Sequence, residues 1–103
     1  MSNSLRDKVV VVTGASSGIG RSIALESASR GATVILMARH QDKLEEIANE
    51  ARQLSGNEVF VFPTDISKAD QIDRAFNEII SHVNHIDYLV NAAGFGVFKE
   101  FLE

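Results

Sequence analysis

Cysteine is absent from the 103 residues, which excludes disulfides and thiolate metal sites. An excess of positive charge is absent too. The formal net charge is −4, and neutralising nucleic-acid phosphates requires a basic surface, so nucleic acid is not an expected partner. No apolar run approaches the ~18 residues of a membrane-spanning helix. The first run, Val9 to Val12, is short and leads directly into a turn, unlike the apolar core of a secretory signal. The expectation is therefore a cytoplasmic protein with no membrane partner. His40, His82 and His85 form no metal-ligand pattern and read as exposed histidines near helix or loop ends, so no metal site is expected. What is present is ordinary for a globular domain, with 45% apolar and 23% charged residues. The length allows a single domain over residues 1–103 with little stability to spare.

Val9-Val10-Val11-Val12 is β-branched without alternation, as suits a strand buried on both faces. Thr33 to Ala38 and Val59 to Phe62 read the same way, and Ile86 to Val90 does so with Asp87 and Tyr88 inside it. Helical stretches lie between them. The first opens at Gly18 and runs to about Arg30, with Ile19, Ile23, Ala24 and Ala28 on one side. The second covers about Gln41 to Leu54, with Leu44, Ile47, Ala48, Ala51 and Leu54 at helical spacing and Gly56 placed to stop it. The third begins after Ser67, which reads as its cap with Asp70 three residues on, and turns Ile72, Phe76, Ile79, Ile80 and Val83 inward. The strand starts at Val9, Val34 and Val59 are 25 residues apart each time. No solenoid signature accompanies that spacing, so it is the rhythm of βα units. The fold class is α/β, a β-α-β-α-β-α-β chain whose parallel strands need right-handed crossovers.

Thr13-Gly14-Ala15-Ser16-Ser17-Gly18-Ile19-Gly20 joins the first strand to the first helix, where a doubly wound fold holds phosphate. A side chain at Gly14 would crowd the tight turn. Gly18 and Gly20 let backbone come close to a pyrophosphate and to the neighbouring strand. Amide groups and the positive dipole of the opening helix favour an anion, and Ser16 and Ser17 can add hydroxyl donors. The spacing is G-x-x-x-G-x-G, not the common G-x-G-x-x-G. Nor is it a P-loop, because Ala15 stands where that motif needs glycine and Arg21 replaces its lysine.

These residues resemble the cofactor signature of the short-chain dehydrogenase/reductase family, Thr-Gly-x-x-x-Gly-x-Gly. Asp65-Ile66 after the third strand resembles the family's pair that touches the adenine. Asn91-Ala92-Ala93-Gly94 resembles its Asn-Asn-Ala-Gly element, with Ala92 in place of asparagine. The resemblance runs from about Arg6 to Glu103. It implies a Rossmann-type sheet of strand order 3-2-1-4 with the cofactor beside the first strand, and a hydride-transferring oxidoreductase acting on a carbonyl or alcohol. The cofactor-binding residues it implies are Gly14, Ser16, Ser17, Gly18, Ile19, Gly20, Arg39, Asp65, Ile66, Asn91 and Ala92. At the end of the second strand, Ala38 occupies the position where NAD-preferring relatives carry aspartate, and Arg39 follows it. A guanidinium fork fits a 2′-phosphate, which predicts NADP(H) over NAD(H).

The family's catalytic tyrosine, the lysine four residues later and an upstream serine have no counterparts here. The single tyrosine, Tyr88, has Ala92 four residues on and lies within a strand, and Ser16 and Ser17 belong to the phosphate turn. No catalytic residue is assigned. The chain is expected to be an NAD(P)-binding domain incomplete on its C-terminal side and inactive alone. The alternative reading is a non-catalytic nucleotide-binding or dimerisation fragment. A fourth strand without a neighbour and a sheet face covered by one helix predict an exposed edge and exposed apolar surface, and hence self-association or a homo-oligomer. Phe60 and Phe62 read as core, and the acidic run Glu45, Glu46 and Glu50 as a solvated helix face. In the family that the chain resembles, the segment after the Ala-Gly element borders the substrate cleft and begins a dimer-forming helix, so the resemblance gives Phe95, Phe98 and Phe101 either role. The sequence does not specify a substrate.

Overall fold

The computed structural model describes residues 4–15, 18–92 and 96–102. Among the described residues the elements follow in order: β1 (Val9–Thr13), α1 (Gly18–Ser29), β2 (Thr33–Ala38), α2 (Gln41–Leu54), β3 (Val59–Pro63), α3 (Ala69–Val83), β4 (Ile86–Asn91) and β5 (Gly96–Leu102). The first four strands are parallel and ordered β3-β2-β1-β4, as expected. Val11 of β1 pairs with Ile35 of β2 and Leu89 of β4, and Ile35 pairs with Phe60 of β3.

Alternation in these strands divides the core between two faces. Val10, Val12, Val34, Leu36, Val59 and Val90 meet α1 and α2 through Ala24, Ala28, Leu44, Ile47, Ala48 and Ala51. Val9, Val11, Ile35, Met37, Ile86 and Leu89 meet Ala75 and Ile79 of α3 on the other side. A buried valine, isoleucine or leucine contributes about 1.5–3 kcal/mol over leaving it in water. The chain therefore changes face after β3, which leaves a crevice at the carboxyl ends of β1 and β4.

The helix ends differ in detail from the expectation. At the end of α1 the Gly31 amide donates to the Ala28 carbonyl at 3.0 Å and the Ala32 amide to Ser27 at 3.2 Å. Gly31 has φ 89°, a left-handed conformation that costs glycine nothing. Gly56 plays no such part for α2, whose cap is Ser55 in extended backbone. Ser67 does not cap α3; the capping position is Lys68, with no side-chain bond. Ile19 and Leu54 are exposed, because each lies in a terminal turn where the buried stripe has run past the neighbouring layer.

Two expectations about open surface are corrected. β5 lies antiparallel against β4, with Asn91 paired to Gly96 and Leu89 to Phe98, so the β4 edge has a partner within the chain. The segment Gly96–Leu102 is therefore a strand here, not a helix. Backbone groups at a sheet edge seek partners, and a returning segment supplies them at low closure cost. The sheet face under α3 is also closed over its centre, where Val11, Ile35 and Met37 are fully buried. Phe60 and Phe62, toward the β3 margin, are only half-buried. The ring of His82 stacks on Phe60 at 5.4 Å between centroids.

Candidate functional site

The strand-to-helix turn is held from two sides. The Gly14 amide donates to the Met37 carbonyl at 2.8 Å, and that of Ala15 reaches the same oxygen at 3.3 Å. This ties the turn to the end of β2. Gly14 has φ 69°, which a side chain would strain. A Cβ on Gly20 would stand 2.9 Å from the Ala15 Cα and closer still to the Gly14 carbonyl oxygen. The first turn of α1 therefore rests directly on the glycine turn. Gly18 is different, since a Cβ there would meet nothing within 4 Å. Gly18 is not among the glycines with positive φ either. Ile19 beside it is 48% exposed.

Next to this turn lies a groove of about 310 Å³, lined by Gly14, Ala38, Arg39, His40, Thr64, Asp65, Ile66 and Ser67. Four of these, Gly14, Arg39, Asp65 and Ile66, are predicted site residues, brought together from three separate loops. The Thr64 amide donates to the Ala38 carbonyl at 2.8 Å, which sets the β3 end beside the β2 end. The Arg39 guanidinium is 66% exposed, and its Nη1 lies 4.0 Å from Oδ2 of Asp65. The other carboxylate oxygen of Asp65 accepts from the Ser67 hydroxyl at 2.6 Å and the Ser67 amide at 3.0 Å. Those two bonds, ahead of Arg39 and Lys68, hold the Asp65 carboxyl below its usual range, while partial burial pulls the other way. Ile66 is exposed at the groove.

Asn91 and Ala92 stand at the end of β4. The Ala92 amide donates to the Thr13 carbonyl at 3.0 Å. The Thr13 hydroxyl lies 3.1 Å from Asn91 Oδ1 and 3.3 Å from the Val90 carbonyl, so this element clamps β4 to β1 beside the glycine turn. Ser16, Ser17, Ala93, Gly94, Phe95 and the side chains of Phe98 and Phe101 lie outside the described residues. Tyr88 is half-buried in the middle of β4, packed against the α1/α2 side of the core and away from the groove. Ser67 belongs to the groove although its sequence position suggested a helix cap. The signal was available in part, since a serine two residues after an aspartate can close a local turn on its carboxylate. Among the described residues no group of three or more histidine, aspartate or glutamate side chains could hold a metal ion. No helix among them is long and apolar enough to cross a membrane.

A parallel sheet that reverses its strand order beside a glycine turn is the Rossmann-type, doubly wound class of α/β protein. The sequence model of the short chain dehydrogenase family matches residues 8–103. The chain belongs to that family, whose members are oxidoreductases that bind a nicotinamide dinucleotide. It is similar to 11-beta-hydroxysteroid dehydrogenase 1A of Arabidopsis thaliana, 46% identical over 93 residues, which are 90% of this chain and 27% of that protein. Among solved structures, a metagenomic short-chain oxidoreductase in complex with NADP superimposes with a TM-score of 0.80 at 38% identity, covering 84% of this chain and 39% of that one. NAD+-bound xylitol dehydrogenase superimposes with a TM-score of 0.81 at 25% identity, covering 84% of this chain and 33% of that one. The chain thus spans about a quarter of the Arabidopsis relative and between a third and two fifths of these structures.

Proposed function

We propose that this chain is the coenzyme-binding portion of a short-chain oxidoreductase and that it takes NADP(H) in preference to NAD(H). The observation that carries the preference is Arg39, a largely exposed guanidinium at the rim of a groove whose neighbouring residue is Ala38. A carboxylate at that neighbouring position would accept from a ribose 2′-hydroxyl and repel a 2′-phosphate, whereas a guanidinium attracts the phosphate. A charge-assisted contact of about 1.5–3 kcal/mol corresponds to roughly a ten- to hundredfold preference.

The remaining residues fit such a ligand. A Cβ on Gly18 would meet nothing within 4 Å, which is consistent with room for a diphosphate beside the first amides of α1. Gly14, Ser16, Ser17, Ile19 and Gly20 complete that turn, Asp65 and Ile66 bound the adenine end, and Asn91 with Ala92 bounds the end toward the nicotinamide. When bound, the coenzyme supplies the hydride that moves to or from a carbonyl or alcohol substrate. The chain's own part is to bind and orient it. With Tyr88 inside a strand and no Tyr-x-x-x-Lys in the sequence, the 103-residue chain by itself binds the coenzyme without turning over substrate. Domain 1–103 is on this reading a single coenzyme-binding unit.

The test is a titration of NADPH and NADH against the unmodified chain and Arg39→Ala. NADPH affinity falls about ten- to hundredfold and NADH affinity holds if the assignment is right. Equal losses for the two coenzymes sink it.

A further inference from the structure

Ser67 makes no bond to the helix it precedes. Its hydroxyl and its amide both donate to one oxygen of Asp65, at 2.6 and 3.0 Å. The first distance lies in the range of a hydroxyl bound to a charged carboxylate. The Asp65 amide in turn donates to Oε1 of Gln71, in the first turn of α3, at 2.9 Å. Backbone and side chain of Asp65 are thus both fixed to α3 and the loop before it. With Oδ1 taken twice, Oδ2 is the oxygen left toward Arg39, 4.0 Å away. Ser67, Asp65 and Arg39 line the same groove.

We infer that Ser67 is a positioning residue for coenzyme selection: by holding one oxygen of Asp65 it turns the other toward Arg39, so that the guanidinium rests at the groove before a ligand arrives. The inference rests on the coenzyme reading above and adds a residue to it. An exposed arginine side chain loses rotamer freedom when it meets a phosphate, and a weak resting contact lowers that cost. The contact at 4.0 Å is loose enough for a phosphate to outcompete it, as exposed ion pairs contribute little. The charged groups facing Asp65 are Arg39 from the β2–α2 connection and Lys68 from its own loop, and His40 lines the same groove. The bonds from Ser67 favour the charged carboxylate, so Asp65 remains ionised to a lower pH than an ordinary aspartate. Whatever stability this contributes is fully present above the unfolded-state value and is lost as pH falls through the folded-state one.

The experiment compares the unmodified chain with Ser67→Ala and Ser67→Thr. It reads the Asp65 carboxyl titration by carbon NMR on aspartate-labelled protein, assigned with Asp65→Asn, and affinities for NADPH and NADH. In Ser67→Ala the carboxyl titrates at higher pH, NADPH affinity falls about three- to tenfold and NADH affinity falls less. Ser67→Thr, which keeps the hydroxyl, restores both readouts. An unmoved titration, equal losses for the two coenzymes, or no rescue by threonine overturns the role of Ser67 while leaving that of Arg39 standing. Absence of binding by the folded, unmodified chain overturns the coenzyme reading, and the role of Ser67 with it.

Discussion

At the amino ends of the strands, several side chains tie distant segments together, whereas at the carboxyl ends Arg39 and Ile66 stand exposed around a groove, with the Thr13–Asn91 contact clamping β4 to β1 beside it. Asp87 illustrates the first kind. Its Oδ2 accepts the Val9 amide at 2.8 Å and lies 3.0 Å from Nε2 of His85, so the start of β4 holds the start of β1. Asn57 reaches the Arg6 and Gly31 carbonyls at 3.3 Å each, and Arg52 reaches the Val59 carbonyl at 2.9 Å. At the other end the turns are tied down by backbone bonds, from Gly14 to Met37 and from Thr64 to Ala38. The Arg39 guanidinium, 66% exposed, stays open to solvent there. One sheet thus carries a cross-tied end and an end that opens on a groove, where the proposed coenzyme site lies, and the division follows from where the βα turns open.

The two ends should respond differently to substitution. The largest effect belongs to the seam where α1 rests on the glycine turn. Gly20→Ala pushes a Cβ into backbone that cannot rotate away, and a stability loss of about 1–3 kcal/mol or more is expected in a thermal melt. An unchanged melting temperature would contradict the close approach at Gly20. Arg39→Ala comes next, with the selective loss of NADPH affinity given above and no change in stability, since the side chain is largely exposed. A melt of this variant that shifted by several degrees would mean that Arg39 belongs to the scaffold.

Gly18→Ala separates fold from binding most cleanly. Its Cβ enters open space, and alanine is favoured over glycine in a helix by up to about 1 kcal/mol, so the melt should hold or rise. Coenzyme affinity should nevertheless fall about tenfold, because the methyl group occupies the space assigned to the diphosphate. Undiminished affinity would remove Gly18 from the site. The smallest effect lies at the opposite end, where Asp87→Ala breaks the bond to the Val9 amide. Stability should drop by about 1 kcal/mol with coenzyme affinity unchanged. A selective loss of binding in Asp87→Ala would break the contrast between the two ends.

The division between the two ends was only half legible in the sequence. Buried strands announced themselves as unbroken β-branched runs, and their 25-residue rhythm with amphipathic stretches between them implied parallel pairing. The glycine spacing located the turn, and the face change of α3 followed from the strand order. Gly18 and Gly20 look alike in the sequence, yet one faces open space and the other backbone, a distinction that exists only once α1 is docked. Asp87 and Val9 meet across 78 positions, beyond the reach of any local pattern. The antiparallel return of β5 is not legible in the sequence, where the resemblance implies the start of a helix. A serine before a helix suits both a cap and a turn closed on Asp65, and only the geometry selects the second for Ser67.

Chemical-shift mapping of the nitrogen-labelled chain with NADPH tests the contrast most directly. The account predicts shifts concentrated at the amides of Gly14, Gly18, Ile19, Gly20, Arg39, Asp65 and Ile66, with Val9, Asn57 and Asp87 unmoved. A folded chain whose spectrum stays still at millimolar NADPH, or moves at Val9, Asn57 and Asp87 instead, would contradict it.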